Sequence, residues 1–377
     1  MSLTIRALEQ SKPQSEGIDS WIGNQEFPLV EDRYVTFVYR GEADQVLLQH
    51  FIYGLPTSQD FKRIEGTDLW YLTIEVPPHS RFEYKFDVVK NDQHSWIRDP
   101  LNPRMARDPF GSNSVCHTAG YEPPFWVQSD ENAREGSIHK LYIDHPNGSR
   151  NHKVLIYIPA RYRKSRRYPL LVVHDGQDYL KYASLKTVLD NLIHRLEIPP
   201  MIAALTQSED RIHEYAANET HAQFVVESLL PLLESRLPLQ RGPETRCLMG
   251  ASFGAVASLH TAWKYPGIFG KLLLQSGSFA FTDIGWHQRS PAFDPVVHFV
   301  NEFRKHPGRP SEKIFVSCGT YESLIYENRS MVPLLQETGI NVKYREFRDG
   351  HNWENWRDRL REGLSWLFPG PLWMVYE

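Results

Sequence analysis

Ser252 lies at the centre of Gly250-Ala-Ser252-Phe253-Gly254, a G-x-S-x-G pattern between a short apolar run at 246–249 and AVASLHTAW, a good helix sequence. A serine hydroxyl is a weak nucleophile and needs exposure on a sharp strand-to-helix turn. Gly250 and Gly254 relieve crowding at such a turn, and the helix N-terminus favours developing negative charge. The chemistry this predicts is acyl transfer at a carbonyl. Ser278, in QSGSF, lacks a following glycine and helix, and reads as a pocket-wall or packing residue.

A serine also needs a base, placed after the last strand of the sheet and downstream of nucleophile and acid. His351 fits: KYREF reads as a strand, DGH as a turn that presents the imidazole, and WENWRDRLREGLSWL as a closing amphipathic helix. The acid belongs after the penultimate strand, where two glutamates compete. Glu322 stands a few residues beyond the strand and is preferred; Glu327 starts the next helix, where the dipole alone favours an acid. For the oxyanion, the expected donors are the amides of Phe253 and Gln177, the latter in His174-Asp-Gly176-Gln177, where Gly176 allows close backbone approach. His174 and Asp175 also invite a metal reading, but neither has a partner at helical ligand spacing, so no metal and no organic cofactor is expected.

These residues must be positioned by two kinds of domain. Between 33 and 120 the runs 34–39, 46–52, 69–76, 82–88 and 96–97 are β-branched and aromatic, with turn residues about every ten positions, which predicts a small all-β sandwich. From 137 onward a hairpin (138–143, 153–158) leads into apolar runs at 168–173, 201–205, 246–249, 271–275, 314–317 and 342–347, read as strands buried on both faces. Helical stretches at 220–235 and 254–265 alternate with them, so the larger domain is α/β with a mainly parallel sheet. The expected division is an N-terminal extension (1–32), the sandwich (33–120), a Pro-rich linker (121–136) and the α/β domain (137–377). The turn-rich stretch from 99 to 126 is read as an extended crossing.

Composition excludes several function classes. A net charge of −4, with both signs spread along 377 residues, offers no basic stripe for nucleic acid. MSLTIRALEQSKPQSEG lacks the apolar centre of a signal peptide, and no run approaches the roughly 20 apolar residues that span a bilayer, so no membrane association is expected and the protein reads as cytoplasmic. Cys116, Cys247 and Cys318 are few and far apart, which predicts buried thiols.

HDGQDYL, DRIHEYAAN, FVVESLLPLLE, GASFGAVASLHTAWKYPGIFG, LLQSGSF, CGTYESLIYENR and FRDGHNW occur here in one order. That ordered set resembles the esterase branch of the α/β-hydrolases that contains esterase D and, more closely, the enterochelin esterases, over nearly the whole chain. The resemblance implies an α/β-hydrolase fold, a serine esterase with nucleophile Ser252, acid Glu322, base His351 and oxyanion amides Gln177 and Phe253, and a small-molecule ester as substrate. The acid in those relatives is usually aspartate, one methylene shorter than the glutamate here. Arg211, Glu214 and Asn218 match positions that brace a loop beside the pocket. Arg104, Arg107, Asp175 and Arg211 are taken as substrate-binding candidates.

The N-terminal region, through EGTDLWYLTIEVPPHSRFEYKFDVV and DPLNP, is similar to the immunoglobulin-like early-set domains that precede enterochelin esterases. Three functions follow as expectations: hydrolysis of a ferric siderophore ester; removal of feruloyl or acetyl groups from an acylated sugar, with Trp70, Tyr71 and Trp96 as a glycan platform; or an inert hydrolase scaffold that only binds. The aromatics serve more simply as sandwich core. Arg104, Arg107 and Phe110 are expected to help select an anionic or aromatic substrate.

Overall fold

The computed structural model describes residues 3–11, 15–144 and 151–371. Parts of the predicted extension and α/β domain (1, 2, 12–14, 145–150 and 372–377) lie outside these. The chain divides into two compact units, one of residues 1–123 with 319–323 and 347–352, the other of 124–318, 324–346 and 353–377.

The first unit is an antiparallel sandwich. Its four-stranded sheet runs Leu29–Glu31, Tyr34–Arg40, Leu69–Glu75, Lys62–Arg63. The other sheet runs Ser58–Asp60, Gln45–His50, Arg81–Lys90, Gly111–His117, Met105–Asp108, with Gln93–Ile97 also paired to Arg81–Lys90. Strand alternation sends Val35, Phe37 and Trp70 inward against Val46, Leu48, Phe82, Tyr84 and Phe86. The opposite face of the smaller sheet is apolar as well: Val38, Leu69 and Tyr71 pack against Ile5, Leu8, Ile18 and Phe27. Residues 1–32 are therefore not a mere extension where they are described, since their helices Leu3–Ser11 and Ser15–Gly23 cover a sheet face that water would otherwise meet. The expected crossing after residue 99 is likewise corrected. Met105–Asp108 and Gly111–His117 form a hairpin whose second strand extends the larger sheet at Arg81–Lys90.

The second unit is built on eight strands: β1 (Ser137–Asp144), β2 (Asn151–Ile158), β3 (Leu170–Val173), β4 (Ile202–Leu205), β5 (Arg246–Ala251), β6 (Lys271–Gln275), β7 (Lys313–Gly319) and β8 (Asn341–Phe347). Their order is β1-β2-β4-β3-β5-β6-β7-β8. Only β2 opposes its neighbours among the pairings from β1 to β7; β3 to β7 run parallel. The central strands carry apolar residues on both faces because both faces are covered. Leu170, Val172, Leu248, Leu272 and Val316 meet helices Phe253–Lys264, Asp294–Lys305 and Ile325–Glu337. Leu171, Val173, Met249, Leu273 and Phe315 meet Leu185–His194 and Trp353–Leu367 on the other side.

β8 departs from the expected buried run. It is the edge strand, half exposed along its length, and bears charges: Arg345 Nε donates to Glu362 at 2.7 Å and Glu346 takes Arg329 at 2.6 Å. The predicted helix at 220–235 is present but contains a π segment, Phe224–Leu229. Pro231, which follows it, has no N–H to return to residue 227. All three cysteines are buried free thiols. Among the described residues no helix is long and apolar enough to cross a membrane.

Candidate active site

β5 ends at Ala251 and the helix Phe253–Lys264 begins two residues later, so Ser252 alone makes the turn. Its φ of 57° and ψ of −120° lie where a non-glycine residue is strained, at a cost of about 1–3 kcal/mol. The two glycines have separate reasons. A Cβ at residue 250 would come 2.4 Å from the carbonyl oxygen of Gly254, while one at 254 would meet the His174 Cβ at 3.3 Å. Ser252 N donates to Gln275 O at 2.9 Å, which ties the turn to β6. The Ser252 hydroxyl lies 3.1 Å from that of Ser278, so the residue read as pocket wall is a direct hydrogen-bond partner of the candidate nucleophile. Phe253 N–H opens the helix and has no intrahelical acceptor, as an oxyanion donor requires.

The loops after β7 and β8 carry Glu322 and His351, and both belong to the first unit. His351 Nδ1 lies 2.6 Å from Glu322 Oε2. A carboxylate only accepts, so the proton is on Nδ1 and the lone pair of a base is on Nε2. Gly319 N donates to Glu322 Oε1 at 2.7 Å, which holds the buried carboxylate in place. Glu327 is otherwise engaged: it sits in the first turn of Ile325–Glu337 and forms an ion pair with Arg289.

At the end of β3, Asp175 adopts φ 54° and starts the helix Gly176–Tyr182. Gly176 fits because a Cβ there would approach the Leu205 Cα at 2.5 Å. Gln177 N donates to Gln207 Oε1 at 3.2 Å, a long bond within the second unit that an incoming oxygen would have to replace. Asp175 does not suit the substrate-binding role expected for it. Its side chain is fully buried and accepts from Arg211 Nε at 2.8 Å, and burial raises its pKa to about 6 despite that cation. Arg211 also donates to Ala251 O at 3.2 Å, bracing the residue before Ser252. Among the other braces, Asn218 accepts from His221 N at 3.1 Å, and Glu214 Oε2 lies 3.9 Å from His221 Nδ1.

Beneath the helix Phe253–Lys264 lies a buried pair that sequence reasoning missed. His174 Nδ1 faces Met249 O at 3.3 Å and Ser258 Oγ at 3.0 Å, so it carries the proton. His174 Nε2 therefore accepts from His221 Nε2, 3.0 Å away, and Ser258 passes its own proton to Gly254 O at 2.8 Å. Burial keeps both rings neutral, lowering His174 to about 4 and holding His221 well below the usual imidazole value. Neither residue has a local sequence signal beyond His174's place at a strand end. Among the described residues no group of three or more His, Cys, Asp or Glu is arranged to hold a metal ion.

Arg104 and Arg107 are exposed on or beside the strand Met105–Asp108, and Phe110 at that hairpin's tip is 95% exposed. Trp70 and Tyr71 are buried on opposite faces of their sheet, which removes two of the three residues of the expected glycan platform.

The model of a family described as "Putative esterase" matches residues 147–367, more than half of the chain. The chain belongs to this esterase family. The esterase is a carboxylic ester hydrolase with the α/β-hydrolase fold. It is 25% identical over 337 residues to an iron(III) enterobactin esterase of Escherichia coli O6:H1, covering 81% of each chain. A ferric enterobactin esterase structure from Salmonella typhimurium superposes with a TM-score of 0.78 at 20% identity, covering 93% of this esterase and 98% of that chain. A ferulic acid esterase structure is more distant, with a TM-score of 0.54 at 16% identity, and covers 62% of this esterase and 97% of that chain. The esterase is most like an enterochelin esterase.

Proposed function

We propose that this serine esterase cleaves a catecholate siderophore ester of the enterobactin type, with Ser252 as nucleophile, His351 as base and Glu322 as the acid that orients it. The hydrogen bond from His351 Nδ1 to Glu322 Oε2 carries the assignment of base and acid, because it fixes the tautomer a base needs. In this reading His351 Nε2 takes the Ser252 proton as the hydroxyl attacks the ester carbonyl. The amides of Phe253 and Gln177 receive the oxyanion, the Gln207 side chain giving way at the second. The alcohol leaves with the proton from His351, and water, activated by the same imidazole, releases the acyl group. Arg104 and Arg107 supply exposed positive charge for an anionic substrate, while Arg211 acts through Ala251 and Asp175.

The relatives named as enterobactin esterases support the substrate class by extent of likeness, and the burial of Trp70 and Tyr71 weighs against a glycan-binding module. The test is a hydrolysis panel of ferric enterobactin, a feruloylated sugar and short-chain acetyl esters. The proposal predicts the highest kcat/KM on the first; equal or better turnover of the feruloylated sugar contradicts it.

A further inference from the structure

Arg81 is the first residue of a central strand in the larger sandwich sheet, and its side chain is fully buried. Its guanidinium donates to acceptors on three residues: Glu83 Oε1 at 2.9 Å, Asp349 Oδ1 at 3.2 Å and Oδ2 at 3.5 Å, and Asn352 Oδ1 at 2.9 Å. Its own amide donates to Arg348 O at 2.9 Å. Asp349 is buried too, and accepts from Gly350 N at 2.7 Å and Asn352 Nδ2 at 2.8 Å. Arg81 thus grips the residues on both sides of His351, two before it and one after it. The acid's loop is held by the same strand end. Tyr321 OH meets Ser80 Oγ at 2.6 Å, Tyr321 N donates to Asp349 O at 3.1 Å, and Tyr53 N donates to Tyr321 O at 2.9 Å.

A buried guanidinium is a poor device for stability alone, since well-packed apolar residues often serve a core as well or better. Its planar fork is suited instead to fixing several acceptors at once. The geometry points to Arg81 as a positioning residue, through which the N-terminal sandwich holds the loop of the catalytic base in register with its acid. This rests on the assignment of His351 as base.

The full-length esterase carrying Arg81→Met, Arg81→Lys, Tyr321→Phe or His351→Ala is compared with wild type on a p-nitrophenyl ester and by proton NMR of 15N-histidine-labelled enzyme. The low-field Nδ1–H resonance of His351, identified by its loss in His351→Ala, reports the bond to Glu322. Arg81→Met is expected to lower kcat about 10- to 100-fold with KM little changed, and to shift or broaden that resonance in a protein that remains folded. Arg81→Lys should recover part of both, because an ammonium satisfies fewer of these acceptors. If Arg81→Met does not fold, Arg81→Lys and Tyr321→Phe carry the same two readouts. A folded Arg81 variant with wild-type kcat and an unchanged resonance overturns the proposal while leaving an inactive His351→Ala in place. Wild-type turnover in His351→Ala would instead remove the assignment of the base.

Discussion

At the scale of single residues, the two candidate acids differ in what holds them. Glu322 has one carboxylate oxygen on Gly319 N and the other on His351, whereas Glu327 is committed to Arg289. Glu322→Gln should therefore lower kcat roughly a thousandfold or more, because an amide no longer steadies the imidazolium. Glu327→Gln should leave kcat near wild type, and steady-state kinetics of the two variants on an aryl ester checks the contrast. The turn at Ser252 between Gly250 and Gly254 is legible because its geometry is local: a strand, a turn and a helix within about twenty residues. Arg81 and Asp349 are not, being 268 positions apart. Nothing in either neighbourhood announces the other. Asp175 misled for a related reason, since its place beside Gly176 says nothing of the Arg211 that covers it.

At the scale of elements, the buried histidines under the helix Phe253–Lys264 tie acid stability to the architecture around Ser252. Both have pKa values lowered by burial, so below the ordinary 6.5, and for His174 down to about 4, the unfolded chain binds protons that the folded one refuses. Their contribution makes stability rise with pH across that window and fall on acidification. Asp99 and Asp175, raised to about 6 by burial, act in the opposite sense between 3.8 and about 6. A difference between variants isolates the histidine part. His221→Gln, which keeps an N–H donor for His174, should make the variant less acid-sensitive than wild type as pH falls below the ordinary imidazole value of 6.5, as followed by thermal melts. Parallel melting curves would show that His221 is not buried in neutral form. The buried strands of the α/β sheet were legible from continuous apolar runs. The hairpin at 105–117 was not, because its Arg, Asp, Asn and Gly residues read as turn, and only pairing with Arg81–Lys90 makes it a strand.

At the scale of the whole molecule, a net charge of −4 does not draw an anionic substrate, so attraction must come from local cations. Arg104→Glu together with Arg107→Glu should raise KM for ferric enterobactin several-fold while sparing a neutral aryl ester. The gap between wild type and variant should narrow at high salt, where exposed charges are screened. An equal KM change for both substrates would remove these arginines from recognition. In the proposed mechanism Ser252 is the nucleophile and His351 activates it. The most direct measurement treats the enzyme with a p-nitrophenyl phosphonate and locates the adduct by peptide mass spectrometry. A single phosphonyl group is expected on Ser252, none on Ser252→Ala, and labelling slowed about a hundredfold or more in His351→Ala. An adduct on another residue, or wild-type labelling of His351→Ala, would contradict it.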